Sequence, residues 1–399
     1  SKNINSMMLK RQSAENRFRF YGQASLAIAL IMLVVVISSM TYRSIPAFTN
    51  YGLNLNINLS NENISQDNIN YRRLVRDNIS LLDSGCDDRK CRKEFLRLFS
   101  SGAAYELRDT IENDPSLIGK DFSKFILFSD DADLFYKFGI DNSLPESERR
   151  LNDREITWLN GFKELGLVEK RFSTNLFTNG DSREPEIAGV LGAVIGSLLT
   201  ILITLIISFP IGVLSAIYLE SFAPKNKLTD FIEVNINNLA AVPSIVFGLL
   251  GLALFINFFG MPRSAPLVGG CVLSLMTLPV IIIATRASLQ SVPPSIREAA
   301  LAVGASEMQV VFQHLLPAAL PGILTGTIIG LARAFGESAP LLLIGMVAFV
   351  VDIPGSFTDP ATALPVQVYL WADSPERAFV AKTSAATLVL IFLLIIINL

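Results

Sequence analysis

From Phe20 to Tyr42 the chain runs 23 residues without a charge, and uncharged stretches return at 187–219, 234–262, 264–285, about 315–351 (interrupted by Arg333 and Glu337) and 383–399. A helix of about 20 apolar residues crosses a bilayer while satisfying its own backbone, which few other structures can do in lipid. Six such runs therefore predict six membrane helices. The run at 187–219 is 33 residues long, so part of it is expected to lie along the interface or to extend past Pro210 into the cytoplasm. No small-residue cleavage pattern precedes Tyr42 and Arg43, which marks the first run as a retained anchor rather than a removed signal.

Charge divides the chain between two compartments. Residues 44–186 carry 19 Lys or Arg against 25 Asp or Glu, whereas residues 187–399 carry 8 against 10. Lys2, Lys10, Arg11, Arg17 and Arg19 precede the first run, and basic flanks stay on the cytoplasmic side. Counting spans from there puts the 220–237 loop, with Lys225 and Lys227, inside together with residues 286–319. The 44–186 insert and the loop bearing Asp352, Asp359, Asp373 and Glu376 then face outward. The net charge is −3 and no basic tract is present, which excludes nucleic acid as a partner and leaves the lipid bilayer.

The insert shows helical apolar spacing at Tyr71–Leu82 and Arg92–Phe99, and strand candidates at Phe125–Phe128 and Arg171–Phe177, so a small α+β domain is expected. The Asn-rich stretch 50–70 looks like an exposed linker or irregular strand. No nucleotide-binding loop or catalytic triad is present, and His314 is the only histidine, so no metal site is expected. Cys86 and Cys91 lie in the outward compartment, where a disulfide can form. Five-residue spacing on a continuous helix would aim the two side chains apart, so paired and free states both stay open.

Between two apolar runs, residues 293–317 form a polar helix pair. Ser295 with Glu298 reads as a capping box, Gly304 as a left-handed helix end, and Ser306 with Gln309 as a second start. Ala299, Ala300 and Ala302 keep the first helix thin enough for a groove on a soluble partner, though an ordinary hairpin between spans has the same outline. Arg333 and Glu337, four residues apart within the fifth run, share one helical face. An ionised group at mid-bilayer costs at least ~2.5–3.5 kcal/mol, so the pair reads either as an anion-path residue with its neutralising partner or as a structural ion pair. Pro340 is expected to kink that span. Ser197, Thr200, Thr204, Ser208 and Ser215 recur on one face of the second span and suit either a polar path lining or close helix packing. Arg286 is expected to snorkel at the inner end of the fourth span.

The spacing Glu298-Ala299-Ala300, three residues, Gly304, nine residues, His314-Leu315-Leu316-Pro317 resembles the cytoplasmic loop of ATP-binding-cassette importer permeases. Asn237–Gly248, Pro293–Ala300, Gly336–Leu342 and Leu364–Val366 narrow the resemblance, over about 190–399, to the PstA type of phosphate-importer permease. Ser100–Arg108 and Thr178–Glu186 look like the extra N-terminal domain of one branch. The resemblance implies an all-α polytopic, MetI-like type I permease fold of six membrane helices, divided into an anchor at 1–43, a periplasmic α+β insert at 44–186, and a permease domain at 187–399 with its coupling loop at 286–319. It implies docking of an ATP-binding subunit dimer through Ser295, Arg297, Glu298, Ala299, Ala300, Gly304, His314 and Pro317, and a substrate path along Arg333, Glu337, Ser197, Thr200 and Thr204. A companion phosphate permease and a periplasmic phosphate-binding protein follow, with ATP and Mg on the ATPase and no cofactor on this chain. Two departures are the Ile283 position, where some relatives place an Arg that is here missing or replaced by Arg286, and chain ends that suggest a trimmed sequence lacking a basic tail. Another oxyanion importer, for sulfate or molybdate, fits the same residues. A membrane-anchored ligand sensor and a secondary transporter fit less well.

Overall fold

The computed structural model describes residues 2–59, 69–82, 86, 88–140, 145–347 and 350–399. α1 (Lys2–Ser44) carries the first apolar run as a single helix, and none of its most apolar window is buried within this chain. A 3-10 turn at Ile45–Phe48, opened by Pro46, redirects the backbone into β1 (Thr49–Asn58). β1 is the central strand of a three-stranded antiparallel sheet, flanked by β2 (Asp121–Leu127) and β3 (Val168–Phe172). The Asn-rich stretch is thus a regular strand over its first part, while residues 60–68 lie outside the described residues. Leu53, Leu55 and Ile57 point into the core and Asn54, Asn56 and Asn58 into solvent, so strict apolar alternation outweighs the poor strand propensity of asparagine. Gly52 lets β2 close on this strand, because a Cβ there would overlap the carbonyl of Ile126 and the ring of Phe125.

α2 (Tyr71–Ser80), α3 (Arg89–Arg97), α4 (Ala103–Asn113), α5 (Asp130–Phe138), α6 (Asp153–Glu164) and the single turn α7 (Asn175–Thr178) complete the insert. Its core is aromatic: Phe95 meets Trp158 edge to face at 5.1 Å and Phe99 lies 5.5 Å from Phe128. Emptying a buried Phe site of this kind costs about 3–5 kcal/mol. The expected strand at 171–177 ends at Phe172 and gives way to α7. Cys86 and Cys91 form a disulfide with Cα atoms 5.5 Å apart. The pairing is possible because α3 begins only at Arg89, so Cys86 precedes the helix instead of sharing it.

The remainder is helical. α8 (Leu191–Ile217) passes Pro210 without stopping and ends in a π turn at Tyr218–Phe222, so the 33-residue run is mostly one rod. α9 (Lys227–Ala240) and α10 (Ser244–Gly251) follow, α10 prolonged by a π turn at Leu252–Phe258. α11 (Pro266–Gln290) packs along α8 and against α10. After α12 (Pro294–Ala302) come α13 (Glu307–Gln309), a π turn at Val310–Leu315 and α14 (Leu316–Phe335), which together make one apolar helix of 29 residues, and α14 also packs on α11. α15 (Ala339–Leu343), α16 (Leu364–Ala372) and α17 (Ala378–Asn398) close the chain.

Two expected spans are broken. The 234–262 run is bent by 100° between α9 and α10, because Pro243 offers no N–H to continue a helix and precedes α10 as its cap. Five described helices are long and apolar enough to cross a membrane, and the bent pair makes six if it counts as one span. The 315–351 run stops at Phe335, with Gly336 as its cap. Pro340 therefore does not kink a span; it sits in the first turn of the short α15, where its missing N–H costs nothing.

Polar contacts, most of them buried, knit together the insert, the segment leaving it at Asp181–Gly189 and the membrane helices. Asn50 donates to Ser173 Oγ at 3.1 Å and to the Glu186 carbonyl at 3.2 Å. Trp371 Nε1 donates to Asp181 at 2.8 Å, Gln367 to the Gly189 carbonyl at 2.8 Å and Lys382 to the Ala188 carbonyl at 2.5 Å. Arg150 of the insert bonds Glu376 at 2.8 Å and the Pro375 carbonyl at 2.9 Å.

Candidate coupling surface and the Arg333–Glu337 pair

α12 begins without a side-chain cap. Pro293 occupies the capping position and Pro294 the first turn, so the expected Ser295–Glu298 capping box does not form. Both residues point outward instead. The helix ends as expected: Gly304 lies at φ +89°, its N–H donates to the Leu301 carbonyl at 2.9 Å, and the Ala305 N–H donates to the Ala300 carbonyl at 3.1 Å. These are the two bonds of a Schellman ending. Ser306 and Gln309 then form the second capping box, with the Ser306 N–H donating to Gln309 Oε1 at 2.8 Å and the Gln309 N–H to Ser306 Oγ at 3.4 Å.

The two helices are fixed to each other and to the spans. Arg297 bonds Glu307 at 2.9 Å, and Ala300 is buried in a cluster with Leu289 of α11, Ile217 of α8, and Val310, Val311 and Leu315 at the base of α14. The opposite face is open. Ser295, Glu298, Ala299, His314 and Pro317 are exposed, together with Val303 (85%), Met308 (56%), Phe312 (41%) and Leu301 (40%). Apolar side chains this exposed at a helix-turn-helix tip suit a partner surface.

Behind this tip lies an ionic node that sequence reading missed. Arg286 does not snorkel freely; it bonds Glu233 of α9 at 2.8 Å and Glu220 of the π turn after α8 at 3.3 Å, while Gln290 donates to Glu220 at 2.9 Å. Three elements are thereby joined at one point. The signal was present in the sequence, since Glu220, Glu233 and Arg286 each stand at the border of an apolar run.

Arg333 lies in the last turn of α14, where the helix dipole favours a cation. Glu337 is already past the helix end, so the two do not share a helical face as expected, and they approach to 3.9 Å. Arg333 is half-exposed in this chain and Glu337 is more covered. Ser197, Thr200, Thr204 and Ser208 are all buried. Thr200, Thr204 and Ser208 donate to carbonyls one turn back on α8, Thr204 also reaches the Gly270 carbonyl of α11 at 3.3 Å, and Ser197 Oγ accepts from the Leu364 N–H at 2.7 Å. Their hydroxyls are satisfied inside the chain, which is the packing role of such a stripe. Among the described residues no three His, Cys, Asp or Glu side chains are grouped to hold a metal ion.

Comparison with known proteins gives the class of the chain as an inner-membrane permease subunit of a binding-protein-dependent transport system. Residues 208–399 match the family described as "Binding-protein-dependent transport system inner membrane component", and residues 5–146 match a domain of unknown function (DUF3333). The Bacillus subtilis probable ABC transporter permease protein YqgI is 35% identical over 46% of this chain and 67% of its own length. The phosphate transport system permease proteins PstA of Haemophilus influenzae and Pasteurella multocida are each 31% identical, over 51% and 56% of this chain and 71% and 79% of theirs. The chain belongs to the PstA type of phosphate-transport permease. It is accordingly a multi-pass membrane permease, and its relatives are transport subunits rather than enzymes.

Proposed function

We propose that this chain is one of two permease subunits of an ATP-driven importer of inorganic phosphate, divided as 1–43, 44–186 and 187–399, with residues 44–186 in the periplasm and the N-terminus in the cytoplasm. The observation that carries the coupling role is the α12–α13 hairpin. It is open and apolar on one face, and on the other it is buried against α8, α11 and the base of α14. A partner seated on the open face displaces three spans together. We assign that partner as an ATP-binding subunit dimer, on which ATP and Mg are bound. Counting the bent α9–α10 pair as one span puts the hairpin on the same side as the N-terminus, consistent with this placement.

Arg333 is our choice for the residue that meets the anion, since a guanidinium offers paired donors to phosphate and keeps its charge. Glu337 neutralises it when the path is empty. A companion permease and a periplasmic phosphate-binding protein complete the machine. Sulfate or molybdate remains the second reading, because the hairpin is indifferent to cargo. Reconstitution of the chain with its companion permease, ATPase and binding protein, followed by uptake of labelled phosphate and sulfate in parallel, tests the assignment. Sulfate uptake exceeding phosphate uptake would overturn it.

A further inference from the structure

A cavity of about 790 Å³ lies where the insert meets the ends of α1 and α17, and neither the coupling hairpin nor Arg333 is part of its lining. Ile45, Phe135, Phe138, Ile140, Val380 and Ala381 give it apolar walls. Several of these are uncovered: Phe138 is 67% exposed, Val380 58% and Ile45 57%. Four arginines share the lining, namely Arg43, Arg149, Arg150 and Arg377. Arg149 is paired with Asp153 at 2.7 Å, and Arg150 with Glu376 at 2.8 Å and Asp131 at 3.4 Å. The Nε of Arg149 is buried without a hydrogen bond. Arg43 and Arg377 have no side-chain hydrogen bond or ion pair among the described residues, and against them stands one unpaired wall carboxylate, Glu148.

The placement of these two arginines decides what the cavity suits. Arg43 is in the last turn of α1 and Arg377 caps the start of α17, so both stand where apolar helices leave the bilayer on the insert side. At that depth a phospholipid presents its phosphate and the first part of its acyl chains. A soluble anion would leave the apolar walls in water, and a second protein helix would cover two arginines without supplying counter-charge. We propose that the cavity binds an anionic phospholipid of the leaflet facing the insert, with its phosphate between Arg43 and Arg377 and its acyl chains along Phe135, Phe138 and Val380. Guanidinium groups hold phosphate oxygens through paired donors. A bound lipid would also bridge α1 and the insert to α17.

The test uses the full chain purified from membranes in detergent. Lipid retention is read by native mass spectrometry and binding by the rise in melting temperature on adding phosphatidylglycerol or phosphatidylcholine of identical acyl chains. Phosphatidylglycerol is expected to be retained and to stabilise, and phosphatidylcholine is not. Arg43→Gln with Arg377→Gln is expected to weaken retention roughly 30-fold, the equivalent of about 1 kcal/mol per basic residue at 1.4 kcal/mol per tenfold. Arg43→Lys with Arg377→Lys should keep most of it. Inorganic phosphate at matching concentration should not compete; full competition would make this a soluble-anion site and overturn the proposal, as would equal binding of both lipids or undiminished retention by the glutamine pair. Should that pair fail to fold, Phe138→Trp in the otherwise unchanged chain gives a second reading. Its fluorescence should be quenched by brominated phosphatidylglycerol more than by brominated phosphatidylcholine, and equal quenching overturns the lipid assignment.

Discussion

Gly304→Val separates the conformation of the coupling hairpin from its contacts. Gly304 sits at φ +89°, and a Cβ added there would meet no atom within 4 Å, so the cost of a side chain is conformational and not steric. An L-residue held in the left-handed region costs about 1–2 kcal/mol, and a β-branched one lies at the upper end. If the turn relaxes instead, the bonds from Gly304 to Leu301 and from Ala305 to Ala300 are lost, at about 1 kcal/mol each. Either route gives about 2 kcal/mol, or a fall of roughly 30-fold in the ratio of native to altered hairpin. Asparagine visits the left-handed region readily, so Gly304→Asn is the control. The assay is uptake of labelled phosphate and hydrolysis of ATP measured in the same proteoliposomes. Valine is expected to cut uptake per ATP by up to about 30-fold, the limit set by that ratio, with insertion into the membrane unchanged, and asparagine to stay near wild type. Equal impairment by Val and Asn would refute the reasoning, and so would normal coupling in the valine variant.

Arg333→Gln is expected to abolish or sharply reduce phosphate uptake and Arg333→Lys to restore part of it; near wild-type uptake by Arg333→Gln/Glu337→Gln would reassign the pair to structure alone. Burial pushes Asp130 up to about 7, helped by the nearby carboxylates of Asp131, Glu186 and Glu376, and burial pushes Glu186, whose carboxylate oxygens have no hydrogen-bond partner among the described residues, up to about 7. The ordinary values are 3.8 and 4.5, so the folded junction binds these protons more tightly than the unfolded chain. Its contribution is full below pH 4 and is lost as pH rises through about 7. Thermal unfolding should therefore drop more steeply between pH 5 and 8 in wild type than in Asp130→Asn/Glu186→Gln, and parallel slopes would contradict the assignment. In intact spheroplasts a membrane-impermeant thiol reagent should label Cys86 or Cys91 only after reduction, while a cysteine placed at Ser306 stays unlabelled until the membrane is opened; the opposite pattern reverses the orientation.

Short range helped legibility without guaranteeing it: the Ser295–Glu298 box spans three residues, yet Pro293 takes the capping position. Gly304 and the Ser306–Gln309 box were readable because each is decided within five residues. β1 was hidden by its asparagines, although Leu53, Leu55 and Ile57 already alternated in the pattern the sheet requires. The break at Pro243 was overlooked because absence of charge was the criterion, and charge says nothing about backbone continuity. The end of the fifth run at Gly336 escaped the same criterion. Pairings between distant residues, such as Arg286 with Glu220 and Glu233 or Arg297 with Glu307, needed the fold, since nothing local distinguishes which carboxylate an arginine will meet. The hydroxyl stripe of α8 was seen, but its direction depended on where α11 packs.

The helix from Glu307 to Phe335 begins in the coupling hairpin and ends beside Glu337. From Val310 to Arg333 it rises about 35 Å at 1.5 Å per residue, which makes it a lever with its fulcrum in the π turn at Val310–Leu315. A tilt of about 5° at that fulcrum carries the far end through about 3 Å on this length. Arg333 and Glu337 stand four residues apart at that end, 3.9 Å from each other, so they travel together and the stroke shifts the pair as a unit. A small rotation at the hairpin end thereby becomes a displacement of a charged pair relative to the helices packed around it.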